Sequence, residues 1–264
     1  MTRTLRALPT MLRVGFAESL AYRAEMVVWM LTMTMPLVSL ALWSAITTDN
    51  PIGRWGPRQF AAYFLATLVV RQLTSSWVVW QLNFDVKNGT LARRLMKPVH
   101  PLVAYAAENL GALPFRIALC IPLAVLAATQ GAQAALADPA TLAIWVASLF
   151  GAWVMQFSTM ALVGTLAFWV ESSTSVFEVW QISFILLSGY VIPLELFPPT
   201  VRAITTVLPF RYMVAFPVET ALGAIDRGRA LTELGIQAAF AAALLGATLL
   251  AWRAGMRRFA AFGG

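Results

Sequence analysis

The stretch Ala140-Thr-Leu-Ala-Ile-Trp-Val-Ala-Ser-Leu-Phe-Gly-Ala-Trp-Val-Met-Gln-Phe-Ser-Thr-Met-Ala-Leu-Val-Gly-Thr-Leu-Ala-Phe-Trp-Val170 contains no Asp, Glu, Lys or Arg. A transmembrane helix needs roughly 20 predominantly apolar residues. This run exceeds that length, so a helix over 140–170 must tilt in the bilayer or project from it. The stretch indicates that lipid, rather than water, is the main solvent of the chain.

The composition of the whole chain points the same way. Of its 264 residues 59% are hydrophobic and 12% are charged, whereas soluble domains carry about 25% charged residues. The pattern predicts an all-α membrane protein with one domain, 1–264, and six transmembrane helices. The predicted spans are 24–46, 60–82, 109–129, 140–170, 176–197 and 233–252.

The fifth span and the region after it are irregular. Ser188, Gly189 and Pro193 favour a break within 176–197. The following prolines make a straight spanning helix over 193–217 unlikely. We therefore expect re-entrant outer helices within an extracytoplasmic gate region, 193–232.

The first residues form an amphipathic pattern. Leu5, Leu8, Leu12, Phe16 and Leu20 share one helical stripe, and Arg3, Arg6 and Arg13 lie elsewhere. This pattern predicts an interfacial helix over 1–23, with an ordinary juxtamembrane extension as the alternative. Because the arginines precede a run long enough to span, we expect an uncleaved first helix.

The positive charges between the spans predict the orientation. If both termini are cytoplasmic, the inside segments hold most of the basic residues, as the positive-inside rule requires. These are Arg3, Arg6, Arg13, Arg23, Lys87, Arg93, Arg94, Lys97, Arg253, Arg257 and Arg258.

Other functional classes are poorly supported. The net charge is +7, but the basic residues lie between apolar runs rather than with aromatic residues on a soluble face, which argues against nucleic-acid binding. Cys120 is the only cysteine and His100 the only histidine, so we expect no disulfide, no metal site and no catalytic triad.

Two arginines fall inside predicted spans. Arg71 lies in the second span and Arg116 in the third, where a charge normally faces a cavity or a partner. They either contact an anionic substrate or headgroup or have a structural role. The structural role would be an ion pair, with Glu108, Glu171 or Glu178 as partner, or snorkelling of the side chain to the interface; we favour the structural role. The other pathway or gate candidates are Gln156, Gly189, Pro193 and Glu195.

A basic loop separates the second and third spans over 83–104. It reads Asn83-Phe-Asp-Val-Lys-Asn-Gly-Thr-Leu-Ala-Arg-Arg-Leu-Met-Lys-Pro-Val-His-Pro-Leu102. Gly89 permits a turn, Thr90 is a plausible N-cap, and Pro98 ends the helix. Leu91 and Leu95 share one face, which suits a groove on a partner protein; the alternative is a solvated basic loop. Arg93, Arg94 and Lys97 project elsewhere.

This loop resembles the coupling region of ABC-2-type exporter permeases, in which a Gly-x-Leu…Leu…Pro pattern recurs between the second and third spans. Three further stretches are similar to regions of that family in the same order: 187–198 to its broken fifth span, 208–217 to its outer re-entrant region, and 252–264 to the tail of one bacterial subfamily. The resemblance implies six spans, an interfacial helix and a separate cytoplasmic ATPase.

The resemblance also implies the function: the membrane subunit of an ATP-driven exporter in a bacterial inner membrane. Gly89, Leu91, Arg93, Arg94, Leu95 and Pro98 would couple it to the ATPase. Neither Lys87 nor Lys97 follows a glycine as a P-loop requires, so ATP and Mg²⁺ would be bound by that partner. A second permease chain and membrane lipids complete the expected partners. An ion-coupled secondary transporter is the main alternative, and a membrane-embedded lipid enzyme is a third.

Overall fold

The computed structural model describes residues 2–22, 24, 27–28, 34–170 and 173–262. The chain is 82% helical, and the described residues contain no strand beyond an isolated bridge between Ile52 and Trp55. The predicted all-α class is therefore confirmed. In chain order the helices are α1 (Thr2–Ala21), α2 (Met35–Thr47), α3 (Pro57–Thr74), α4 (Val78–Lys87), α5 (Leu91–Leu95), α6 (Pro101–Gly111), α7 (Leu113–Gln130), α8 (Ala134–Ala137), α9 (Pro139–Thr165), α10 (Ser173–Leu187), α11 (Pro199–Val207), α12 (Ala215–Ala221) and α13 (Arg227–Phe262).

Three helical stretches in the described ranges are long and apolar enough to cross a membrane. They are Pro101–Gln130, Pro139–Phe168 and Arg227–Phe259, and they correspond to the predicted spans 109–129, 140–170 and 233–252. Two shorter apolar helices, Met35–Thr47 and Ser173–Leu187, accompany them.

Of the other three predicted spans, two are interrupted in the structure and one is described only in part. The span 60–82 is interrupted between Thr74 and Val78. The helix of the fifth span ends at Leu187, and the chain becomes helical again at Leu194, as the break predicted for 176–197 requires. Much of the first span, 24–46, lies outside the described residues. The count of six spans stays a prediction.

The long helices α9 and α13 pack against each other. Small residues permit the close approach, because a Cβ added at Gly151 would lie 2.5 Å from the Gln237 side chain. Polar side chains then join the two helices: Gln237 Nε2 donates to the Ser148 carbonyl (2.9 Å) and Thr248 Oγ1 to that of Ser158 (2.8 Å). Small residues and such hydrogen bonds are what holds helices together in lipid.

Two buried apolar clusters lie along α9. We call the first the Phe60 cluster; it contains Phe60, Tyr63, Phe64, Met155, Phe184, Tyr212 and Phe216. The second, the Leu82 cluster, contains Val78, Leu82, Leu91, Tyr105, Phe157, Phe168, Phe177 and Trp252. Val154 and Trp180 pack against both clusters. The Phe60 cluster includes Tyr212 and Phe216 of the segment 193–232. The Leu82 cluster includes Leu91 of the basic loop.

Helix α1 packs against α6 through glycine. A Cβ added at Gly111 would lie 2.9 Å from the backbone of Gly15, so the helices cross almost in backbone contact. Ser19 is buried on the same face, whereas Phe16 and Leu20 of the predicted apolar stripe remain exposed. This exposed pair agrees with an interfacial position of 1–23, which stays a prediction.

Candidate functional site

A break in the second apolar segment places backbone carbonyl groups in the interior. Helix α3 ends at Thr74, Ser75 is extended (φ −64°, ψ 147°), and α4 begins at Val78. Regular helical hydrogen bonding stops here, so the freed carbonyls need other donors. The prediction of one continuous span over 60–82 is therefore wrong, because it overlooked that Ser75 and Ser76 are weak helix formers and that a buried arginine can satisfy the freed carbonyls.

That arginine is Arg116 of α7. Its side chain is 3% exposed, and Nη1 donates to the carbonyl oxygens of Ser75 (2.8 Å) and Gln72 (3.4 Å). The guanidinium also lies 4.5 Å from the ring centroid of Trp77. Its other terminal nitrogen, Nη2, is buried and has no acceptor in the described part of the chain.

Arg71 of α3 is the second buried arginine. It is 6% exposed, and its guanidinium lies 4.7 Å from the ring centroid of Phe184 and 5.5 Å from that of Tyr190. Nε and Nη1 are buried, and none of the described residues accepts a hydrogen bond from them.

The acidic partners expected for these arginines are absent from the described ranges. No ion pair there includes Arg71 or Arg116. Glu108 pairs with Arg94 instead, and Glu178 is exposed. Structural pairing with Glu108 or Glu178 is therefore wrong, and Glu171 lies outside the described residues.

Both arginines line one cavity of about 920 Å³, which we call the arginine cavity. It lies between α1, α3, α4, α7 and α10 and continues past the break at Ser75. Its lining residues include several aromatic rings and three carboxylates. The residues used below are Trp77, Trp80, Phe177, Glu18, Glu108 and Glu178.

The basic loop has the turn that its glycine predicts. Gly89 has φ +70°, a conformation that favours glycine, and α5 follows over Leu91–Leu95 and ends before Pro98. Thr90 occupies the N-cap position, but its side chain makes no capping bond. Its hydroxyl donates to the Asp85 carboxylate instead.

The apolar face of α5 points into the protein. Leu91 is fully buried in the Leu82 cluster, and Leu95 packs against it. The two leucines share a face, as predicted, but this face is occupied by the permease itself. Leu91 therefore cannot anchor a partner protein, because its side chain has no exposed surface to offer.

Arg94 connects the loop to α4 and α6. Its Nε donates to Asp85 (2.7 Å) and its Nη1 to Glu108 (2.5 Å), and it lies 4.3 Å from the ring centroid of Tyr105. Tyr105 in turn donates its hydroxyl to Asp85 (2.6 Å), and Gln81 donates to Glu108 (3.2 Å). Arg94 is thus held by two carboxylates of the permease itself, and its predicted role in coupling to the ATPase stays a prediction.

This network keeps Asp85 ionised. Burial alone would raise the pKa of the Asp85 carboxyl, but hydrogen bonds from Thr90 and Tyr105 and the charge of Arg94 lower it below its usual range. The salt bridge is therefore intact at neutral pH and is lost only as the pH falls through that lowered pKa.

Other residues of the loop have exposed side chains. Phe84 is 60% exposed and Met96 is 79% exposed. Arg93, Lys97, Pro98 and Gly89 are exposed as well. We call Phe84, Met96, Arg93 and Lys97 the outward face of the loop. These exposed residues include apolar and basic groups, and the sequence analysis had not singled out Phe84 or Met96.

The outer region is a series of short helical segments over 194–221, as the prolines of 193–217 predict. Gly189 lies in the preceding break with φ +87°, and its carbonyl accepts a bond from Tyr63 (2.7 Å). Pro193 and Glu195 line a second, smaller cavity of about 280 Å³, where Glu195 pairs with Arg54. Pro193 and Glu195 thus line a cavity other than the one that holds the two arginines. Gly189 is next to Tyr190, which lines the arginine cavity and contacts Arg71.

A cluster of ion pairs stabilises the short helices of 194–221. Arg211 binds Glu219 (2.9 Å) and Glu233 (3.1 Å), and Tyr212 donates to Glu233 (2.8 Å). These residues tie the short outer helices to the start of α13, and sequence analysis did not single them out as a set.

Gln156 occupies neither cavity. It is 1% exposed on α9, and its side-chain amide finds no hydrogen-bond partner in the described part of the chain. The structure therefore separates it from the arginines with which the sequence grouped it.

Comparison with known proteins gives one match. No curated protein and no solved structure matches the sequence. Residues 31–263 match the family described as ABC-2 family transporter protein. This match covers the basic loop, the segment 193–232 and all the predicted spans except the start of the first. With its apolar helices and this match over most of its length, the chain is a multi-pass membrane permease component that belongs to the ABC-2 family of transporter proteins.

Proposed function

We propose that this chain forms the translocation pathway of an ATP-driven exporter in the bacterial inner membrane, with a separate ATPase docked on the loop 83–104. ATP and Mg²⁺ are bound by that ATPase, and a second permease chain completes the pathway. Both termini are cytoplasmic, and the segment 193–217 acts as the external gate.

The observation that carries the proposal is the position of Arg94. It lies on the loop, yet its guanidinium holds Glu108, which lines the arginine cavity. Gln81 binds the same carboxylate and also lines the cavity. Movement of the loop would therefore move the cavity wall directly, through charge-assisted hydrogen bonds.

The outward face supplies the docking surface. An exposed methionine adapts to irregular apolar pockets, and the neighbouring Arg93 and Lys97 suit an acidic rim on the ATPase. Leu91 and Leu95 support this surface from behind instead of contacting the partner.

Copurification of an ABC ATPase from the same organism, coexpressed with this chain, tests the docking. We expect the double substitution Phe84→Asp, Met96→Asp to lower ATPase recovery about tenfold or more, since truncating a central apolar contact commonly has that effect and the added charges must also be desolvated. Leu136→Asp is the matched control, because Leu136 is 64% exposed and lies outside the loop. Equal ATPase recovery with both variants would contradict docking on the outward face.

Transport assays distinguish the ion-coupled alternative. An exporter of the proposed kind stops when the ATPase is inactivated by substitution of its own P-loop lysine. Transport that continued without ATP hydrolysis, and stopped when the proton gradient was collapsed, would instead support a secondary transporter.

A further inference from the structure

The arginine cavity holds two positive charges that the described residues do not neutralise. Arg71 and Arg116 are both more than nine-tenths buried, and neither forms an ion pair in the described ranges. A buried charge in a membrane protein is costly unless a partner compensates it.

Both guanidinium groups also keep unused donors. Arg71 Nε and Nη1 and Arg116 Nη2 are buried, and no described residue accepts a hydrogen bond from them. The aromatic rings of Phe184 and Trp77 hold the two planes in place, so the donors are fixed before any ligand arrives. Guanidinium groups of this kind match the oxygen atoms of phosphate, sulfonate and carboxylate groups.

The rest of the cavity suits an apolar body. Trp77, Trp80 and Phe177 contribute its aromatic walls, and its volume is about 920 Å³. Binding sites for small organic molecules range from roughly 300 to 1,000 Å³ and are mainly apolar. A small inorganic anion would leave these walls uncovered.

The acidic residues of the cavity do not cancel the arginines. Glu108 is already paired with Arg94. Glu18 and Glu178 are exposed and form no ion pair with either arginine in the described ranges. Among the described residues, the buried charges of the cavity are therefore positive.

We infer that the arginine cavity binds an amphipathic organic anion, whose charged group contacts Arg71 and Arg116 and whose apolar body lies against Trp77, Trp80 and Phe177. The inference rests on the proposed transport function and names the chemical class of its substrate. An anionic phospholipid and a water-soluble aromatic anion share this chemistry.

Binding to the full chain in phosphatidylcholine nanodiscs tests the inference without an ATPase, so that failure of binding and failure of coupling are separate results. The probes are 8-anilinonaphthalene-1-sulfonate and N-phenyl-1-naphthylamine, which share an aromatic body and differ in the sulfonate. Energy transfer from the tryptophans, corrected with empty nanodiscs, reports binding. We expect saturable binding of the sulfonate and much weaker binding of the neutral probe.

The variants assign this binding to the arginines. Arg71→Gln and Arg116→Gln should each raise the Kd of the sulfonate about tenfold or more, since hydrogen bonds to charged groups contribute that much. Arg71→Lys and Arg116→Lys keep the charge and should have a smaller effect. Arg253→Gln is the matched control, because Arg253 is exposed on α13 and does not line the cavity.

Two results would overturn the inference: equal affinity of the wild-type chain for both probes, or unchanged sulfonate affinity in the double Gln variant. The first requires no variant, so it decides the matter even if the substitutions prevent folding. Adding phosphatidylglycerol to the nanodiscs separates the two sources of the anion. Competition with the sulfonate, together with retention of this lipid by wild type alone in native mass spectrometry, identifies a phospholipid. Sulfonate binding without competition identifies a soluble anion.

Discussion

The Tyr63 hydroxyl donates a 2.7 Å hydrogen bond to the carbonyl oxygen of Gly189, which joins α3 to the break after α10. Gly189 has φ +87°, and its neighbour Tyr190 contacts Arg71. The carbonyl of Ser188 also accepts a bond from the Ala215 amide (3.1 Å). Residues 188–190 thus connect the short helices of 194–221 to the arginine cavity.

Substitution of Gly189 should destabilise the connection formed by residues 188–190. We expect Gly189→Ala to lower the free energy of unfolding by about 2 kcal/mol, because a side chain at positive φ is strained. The added Cβ would also lie 2.6 Å from the Tyr63 hydroxyl oxygen. Tyr63→Phe should have a smaller effect, about 1 kcal/mol, since it removes one hydrogen bond. Thermal unfolding in detergent measures both.

Gly246→Ala is the control for that experiment, because a Cβ there meets no atom within 4 Å and alanine favours the helix. It should leave the melting temperature unchanged or slightly raised. A Gly189→Ala variant as stable as Gly246→Ala would show that the break does not depend on glycine.

Removal of Arg94 should separate docking from transport. Arg94→Ala leaves Asp85 and Glu108 without their shared cation and should destabilise the loop by about 2 kcal/mol. The outward face remains chemically unchanged, so ATPase recovery should change little while transport falls sharply. Arg94→Lys should restore transport only in part, because one ammonium cannot bridge both carboxylates as a guanidinium does. Loss of ATPase recovery with Arg94→Ala would place this residue at the interface itself.

Substitution by Asp should have different effects at Leu91 and at Met96: the first should reduce folding and the second ATPase binding. Leu91→Asp puts a charge into the Leu82 cluster and should reduce the amount of folded permease in the membrane. Met96→Asp should leave that amount unchanged and reduce ATPase binding alone, since the side chain is 79% exposed. Fluorescence size-exclusion chromatography of a tagged chain, with ATPase copurification, measures the two effects. Normal abundance of the Leu91→Asp variant would mean that Leu91 is not buried in the Leu82 cluster when the protein is in the membrane.

His100 should make the start of α6 sensitive to pH. Its Nδ1 accepts a hydrogen bond from the Leu102 amide (3.2 Å), which only the neutral ring can do. Burial lowers the pKa of the His100 imidazole, so the neutral form is favoured in the folded state. This contribution is complete above about pH 6.5, the unfolded value, and is lost as the pH falls through the lowered folded value.

Hydrogen exchange of residues 101–105 between pH 7.5 and pH 5 checks this prediction. After correction for the intrinsic rate, protection should fall with pH in the wild-type chain. His100→Asn retains an N-cap acceptor and does not titrate, so its protection should stay constant. The same pH dependence in both variants would assign the titration to another group.

Much of the helical architecture could be predicted from composition and periodicity. The uncharged run 140–170 predicts a long apolar helix because lipid tolerates few charges, and the turn at Gly89 follows from local chemistry alone. Pro193 and the later prolines likewise predict short helices, since several prolines within one segment remove backbone hydrogen bonds from a continuous helix.

The misses share a physical cause, which is that they depend on contacts between distant residues. Apolar content over 60–82 predicts one helix, but the break at Ser75 is stabilised by Arg116, 41 positions away. The spacing of Leu91 and Leu95 predicts an apolar face without showing what covers it. Arg94 follows Asp85 by nine positions, and this opposite charge was the one signal that could have indicated an internal pair.

The burial of Leu91 has a consequence for how the complex assembles. A helix of five residues does not form by itself in water, because its nucleation is too unfavourable. Here Leu91 and Leu95 pack in the Leu82 cluster and hold the helix folded before any ATPase arrives. Under the docking proposed above, an incoming ATPase would spend little binding free energy on ordering this helix. A small contact area of Phe84, Met96 and their basic neighbours would then suffice for specific recognition, and the permease would need no folding step of the loop before it recruits its ATPase.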